Sequence, residues 1–251
     1  MSILPENKVH KPKSTPRNFF IFGKTMSGKS YLAERFPNSL IFNTDDNSES
    51  GIRPAIQLRN QRNAEGKLTQ SIIDQLDEYL LALQTENNTY ETIVIDVIED
   101  VVFMLEQAIC MENDVKALSD IPYGKGYAMF NAALIGLVTE LKQLNMNVVY
   151  ISRAVTTGEG ITEHEIPALK EKYYNVVNGN CDLVIQTQRI GKRYIRRVTD
   201  RRKHYQRDQI KDPKILNILD NISGVFDKPI KTTKEEQNKI VEKIDEEKGD
   251  H

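Results

Sequence analysis

Short apolar runs alternate along the chain with stretches whose apolar residues recur every three or four positions. Asn18–Phe22 reads as a buried strand, and Gly28–Phe36 opens a helix. Ser39–Asn43 is a second apolar run. Ile72, Ile73, Leu76, Leu80 and Leu83 predict an amphipathic helix over Leu68–Thr85. Thr92–Ile95 is β-branched and strand-like, Ile98–Met111 and Tyr127–Leu144 are helical, and Val148–Ile151 is a fourth strand. Asp182–Thr187 and Tyr194–Thr199 flank Gly191 as a hairpin. Strands separated by helices imply right-handed crossovers. The expected fold is therefore α/β, with a mainly parallel central sheet and an antiparallel hairpin extension.

Charge divides this pattern. The chain has 251 residues and a formal net charge of −2, which excludes a uniformly basic nucleic-acid-coating protein. Residues 18–188 carry 13 basic and 23 acidic side chains, whereas residues 189–214 carry 11 basic and 3 acidic. Residues 1–17 hold Pro5, Pro12 and Pro16 and read as a flexible tail. Residues 231–251 are acidic and poor in apolar side chains, and read as a frayed helix or disordered tail. The domain expected between them is 18–230. The two cysteines, Cys110 and Cys181, lack ligand spacing, and the four histidines lie far apart, so no disulfide scaffold or zinc site is expected. The N-terminus lacks the apolar core of a signal peptide, and no apolar run approaches the ~20 residues that span a bilayer. The expectation is a soluble, cytoplasmic protein with no membrane association.

Gly23-Lys24-Thr25-Met26-Ser27-Gly28-Lys29-Ser30 has the spacing G-x-x-x-x-G-K-[ST]. It follows an apolar strand and opens a helix, the context such a phosphate-binding loop requires. The glycines free the backbone to turn its N–H groups inward as an anion nest. Lys29 is then the cation for the β- and γ-phosphates and Ser30 a Mg²⁺ ligand, making ATP and Mg²⁺ the expected cofactors.

Such a site needs a second acidic group at a neighbouring strand end. Asp96, closing Thr92–Ile95, is the Walker B candidate for Mg²⁺. The next residue is Val97, which cannot polarise water, and Glu99 follows three residues after Asp96. Asp45 or Asp46, after the strand that follows the loop helix, is the alternative hydrolytic carboxylate. Ser152-Arg153 ends the fourth strand and is either a γ-phosphate sensor or a cap with a solvated arginine.

This constellation resembles the RecA-like P-loop ATPases, and most closely small phage-encoded proteins of the recombination and single-strand annealing type. Phe19 through Asp46, including Phe36-Pro37, carries the likeness most clearly, and it extends over about residues 18–205. The resemblance implies homo-oligomers, as rings or filaments, that act with ATP on single-stranded DNA. It also implies a single-strand DNA-binding protein as a further partner, and a host bacterial cytoplasm as the setting.

Two loops, Asp114–Lys125 and Ala154–Ala168, occupy positions that face DNA in such proteins, although the second is acidic. Basic residues gather instead at Arg189, Lys192, Arg193, Arg196, Arg197, Arg201, Arg202, Lys203 and Arg207, interleaved with Tyr194, His204 and Tyr205. Cations neutralise phosphates and aromatic rings stack on unpaired bases. The same run reads alternatively as a trans-acting finger for a neighbour's nucleotide, centred on Arg201, Arg202 or Lys203, or as a charged sheet edge. A nucleoside or nucleotide kinase with an Arg-rich lid, and a DNA-binding scaffold with structural nucleotide, are the rival functions.

Overall fold

The structure is a computed structural model that describes residues 4, 6–9, 14–45 and 51–249. Its centre is an eight-stranded sheet. Across it the strands run β3 (Ala55–Gln57), β2 (Ser39–Asn43), β6 (Thr92–Asp96), β7 (Asn147–Thr157), β1 (Asn18–Gly23), β9 (Leu183–Ile190) and β10 (Arg193–Arg201). β3 to β9 pair in parallel. β10 runs antiparallel to β9, and β8 (His164–Pro167) runs antiparallel to the far end of β7. β4 (Gln61–Arg62) and β5 (Leu68–Gln70) form a separate two-stranded ribbon. The mixed, mainly parallel sheet agrees with the expected fold.

Both faces of the sheet are covered, which explains the continuous apolar runs of its strands. Alternate residues face opposite ways. Phe20, Phe22, Ile93, Ile95 and Tyr150 pack under α2 (Ile72–Thr85), α3 (Ile98–Glu112), α4 (Lys125–Gln143) and α5 (Glu171–Asn178). Phe19, Ile21, Val94, Val149 and Ile185 pack against α1 (Lys29–Ala33) and α6 (Pro213–Leu219) through Leu32, Ile215 and Leu219, and against Phe36 just beyond α1. Phe19 and Phe36 meet edge to face at 4.8 Å.

Several elements differ from the sequence reading. The helix expected from Leu68 begins only at Ile72, because Ser71 caps it: its hydroxyl accepts from the Asp74 N–H, and the Asp74 carboxylate accepts from the Ser71 N–H. Val148–Ile151 is the buried half of a longer strand. β7 continues to Thr157 and β8 folds back on it, with Val155 opposite Ile166. The segment expected as the loop Ala154–Ala168 is thus largely a hairpin. Residues 14–17, read as tail, are tied to the core. Ser14 Oγ donates to the Gln209 carbonyl, and Arg17 donates through Nη2 to the Leu144 and Met146 carbonyls. Lys234–Gly249, read as a frayed helix or a disordered tail, forms a helix, α7. No helix among the described residues is long and apolar enough to cross a membrane.

Candidate functional site: a phosphate-binding loop at the strand ends

β1 ends on Gly23, and the loop of residues 24–28 carries the chain into α1. The two glycines serve different needs. Gly28 has φ 88°, in the left-handed region. Gly23 has no such angle: a Cβ there would run into the Thr187 carbonyl oxygen and lie 2.6 Å from Ser27 Oγ. Met26 also takes a left-handed φ of 62°. Ser27 is buried, and its hydroxyl pairs with Thr187 Oγ1 of β9 at 2.7 Å, fastening the loop to the next strand. Lys29 Nζ donates to the Gly23 and Lys24 carbonyls at 2.8 and 2.9 Å. Burial lowers its pKa from the ordinary lysine value, against the pull of Asp96 and Glu99.

Ser30 Oγ donates to Asp96 Oδ2 at 3.0 Å. This pair was expected from sequence, and its oxygen donors suit Mg²⁺, which also keeps waters and phosphate oxygens in its shell. Burial raises the Asp96 pKa, while the Ser30 hydrogen bond and the Lys29 and Arg153 charges oppose that rise. A cavity of about 370 Å³ brings Lys29, Ser30, Asp96, Asp45 and Arg153 together. Asp46 lies outside the described residues.

The interposition of β7 between β1 and β6 places Ser152 and Arg153 beside Gly23 and Asp96. Both are engaged by the first turn of α3. Glu99 Oε1 accepts from Ser152 Oγ at 2.6 Å and from the Arg153 N–H at 2.8 Å. The Arg153 guanidinium forms a two-pronged pair with Asp100, at 2.7 Å in each arm. Thr44, at the end of β2, donates through Oγ1 to Asp100 Oδ2 and accepts from the Val97 N–H. Asp100 and Thr44 were not singled out from sequence. Two acids opening a helix read as partners of its positive end, and nothing local announces their arginine and threonine partners.

The basic segment is split by the antiparallel turn. Arg189, Lys192, Arg193 and Arg196 lie at the P-loop end of the sheet, because Gln186 pairs with Phe22 and β9 continues past Gly23. Arg201, Arg202 and Lys203 lie at the opposite end, where Arg201 pairs with Leu183 and Leu183 with Phe19. Arg201 Nη1 donates to the Gly224 and Val225 carbonyls, and Arg202 to those of Cys181 and Gly179. Lys203 stands 5.3 Å over the Tyr205 ring. Arg207 pairs with Asp220 through two bonds of 2.8 and 2.7 Å, and Arg197 Nε donates to Gln186 Oε1. Arg201, Arg202 and Arg207 therefore brace the fold in this structure. Acidic Glu165 of β8 turns inward, pairing with Lys24 at 3.3 Å and accepting from Gln186 and Gln188.

A parallel sheet flanked by helices, a lysine-bearing loop on a central strand, and a serine–aspartate pair beside it define a P-loop NTPase. The chain matches the AAA domain family over residues 15–209 and belongs to that family. A comparison with curated proteins found no match.

Proposed function

We propose that the protein is an ATP-binding, Mg²⁺-dependent ATPase that works as a homo-oligomer on single-stranded DNA, in homologous recombination or strand annealing. The observation that carries the DNA reading is the position of the β9–β10 turn. Lys192 and Arg193 stand exposed there, and β9 leads back from them to Thr187, the residue that holds the P-loop. Phosphates of a strand bound at the turn would contact the strand that braces the nucleotide site.

Within the site, Lys29 binds the terminal phosphates and Ser30 and Asp96 hold Mg²⁺, which would neutralise developing charge on the phosphates. Asp45 shares their cavity and takes a proton from the attacking water. Arg153 faces the same space and stabilises the terminal phosphate.

ATP turnover is measured with and without single-stranded DNA, beside size measurement with nucleotide. DNA should stimulate turnover, and Lys29→Ala should abolish it. Affinity for DNA should fall steeply with salt, and the double change Lys192→Ala, Arg193→Ala should reduce the logarithmic salt slope by about 1–2. An unchanged slope would remove the turn from DNA binding. Transfer of phosphate from ATP to a deoxynucleoside would replace this reading with a kinase.

A further inference from the structure

A second cavity, of about 590 Å³, opens on the side of the P-loop away from Asp96. Met26, Gly28, Tyr31, Arg189, Tyr194 and Arg196 line it. Met26 and Tyr31 also line the cavity that holds Lys29, Ser30 and Asp96, so the two spaces meet at the loop. Tyr194 and Arg196 are two residues apart on β10 and therefore share a face. The Tyr194 ring lies over the loop backbone: a Cβ on Gly28 would be 3.1 Å from its Cδ1. The Arg189 guanidinium stands 5.7 Å from the centre of that ring. Arg196 and Arg35 stand 5.9 and 5.8 Å from the centre of Tyr31. Despite these contacts Met26, Tyr31 and Tyr194 are 77%, 61% and 54% exposed. They are large apolar and aromatic surfaces left open beside a phosphate-binding loop.

The geometry points to this cavity as the site of the nucleobase, held by its ring faces between the tyrosines and arginines rather than read along its edge. The inference rests on the P-loop being a nucleotide site. Phosphates at Lys29 and Ser30 leave the remainder of the nucleotide one open direction rich in aromatic rings, across Met26 and Tyr31. Every base has a π-face, so stacking tolerates all bases, and purines gain more than pyrimidines from their larger area. Among the described residues, the lining holds no carboxylate or amide side chain to fix the exocyclic groups that distinguish adenine from guanine. The arginines nearest the P-loop thereby serve the nucleotide of their own subunit, and Lys192 and Arg193 at the turn remain for DNA.

The test is calorimetric binding of Mg-ADP, Mg-GDP, Mg-CDP and Mg-pyrophosphate to the full chain. ADP and GDP should bind within about tenfold of each other, and both more tightly than CDP or pyrophosphate. Tyr194→Leu should weaken ADP about tenfold more than it weakens pyrophosphate, and Tyr194→Phe should restore ADP binding. Equal losses for ADP and pyrophosphate, or no loss for ADP, would overturn the base site while leaving the P-loop assignment standing. A hundredfold preference for ADP over GDP would overturn recognition by ring faces. Undiminished binding of both ADP and pyrophosphate to Lys29→Ala would instead remove the P-loop reading itself.

Discussion

Ser30 and Asp96 are 66 residues apart in sequence, and the Ser30 hydroxyl donates to the Asp96 carboxylate at 3.0 Å. The contact exists because β1 and β6 flank β7, with Ile21 and Asp96 level with Ile151 on either side of it, and the P-loop leads from the end of β1 into the helix that carries Ser30. Asn in place of Asp96 retains an oxygen to accept from Ser30 but loses the negative charge that would hold Mg²⁺. Asp96→Asn is therefore expected to bind ADP normally in EDTA and to lose most of the tightening that Mg²⁺ gives, about tenfold or more, about 1.4 kcal/mol. Titrations with and without Mg²⁺ check this, and an intact Mg²⁺ effect would move the metal elsewhere.

The P-loop has a second long-range anchor in Ser27 and Thr187. Both are buried, and their hydroxyls meet at 2.7 Å. Thr187→Val keeps the shape and removes the partner, leaving a buried hydroxyl on Ser27. The expected loss is about 1–2 kcal/mol of unfolding free energy, with nucleotide affinity falling as the loop loosens. Thr187→Ser restores the hydroxyl and should recover the affinity. Urea unfolding and ADP titration read the two effects, and a Val variant as stable as the parent would show the pair to be incidental.

The parts of this site that the sequence made legible are those encoded locally. The spacing of Gly23, Gly28, Lys29 and Ser30 stands within one loop, and the β-branched run before Asp96 needs only its own residues to read as a buried strand. The polar segments that form strands, Gln61–Arg62, Leu68–Gln70 and His164–Pro167, have no apolar alternation. They take that form because a neighbouring strand offers its backbone. The basic run read as one patch, but an antiparallel turn sends its two halves to opposite ends of the sheet. The carboxylate partners of Ser152 and Arg153 likewise depend on the order β1-β7-β6, which no window of residues specifies. Gly23 was legible as a glycine, but its reason, the close approach of Thr187, was not.

Arg153 is positioned from two directions, its main-chain N–H by Glu99 and its guanidinium by Asp100. The Arg153 side chain is 44% exposed, so the ion pair adds less than ~1 kcal/mol to stability. Its value lies in aiming a cation at the Lys29 cavity. Arg153→Ala should leave the unfolding midpoint nearly unchanged and weaken ATP binding about tenfold more than ADP binding. A charge that meets only the terminal phosphate has that signature. Competition between the two nucleotides for one fluorescent analogue measures the ratio, and equal losses would show that Arg153 does not distinguish them.

Glu99 supplies a test by pH. Burial raises its pKa above the ordinary value for glutamate. The Ser152 hydroxyl, backbone N–H groups and the Arg153 charge oppose that rise without overcoming it. Its Oε2 atom is buried without a hydrogen-bond partner. The folded protein therefore favours the protonated carboxyl more than the unfolded chain does. The stability this contributes is fully present below about pH 4, where unfolded glutamates are still protonated. It is lost as pH rises until the folded carboxyl has ionised. Gln in place of Glu99 retains Oε1 to accept from Ser152 and Arg153 and cannot ionise. Glu99→Gln should match the parent in stability near pH 4 and exceed it increasingly as pH rises, before the gap levels. Thermal unfolding of both proteins from pH 4 to 8 follows the gap, and parallel curves would mean that Glu99 ionises in the fold as it does in the open chain.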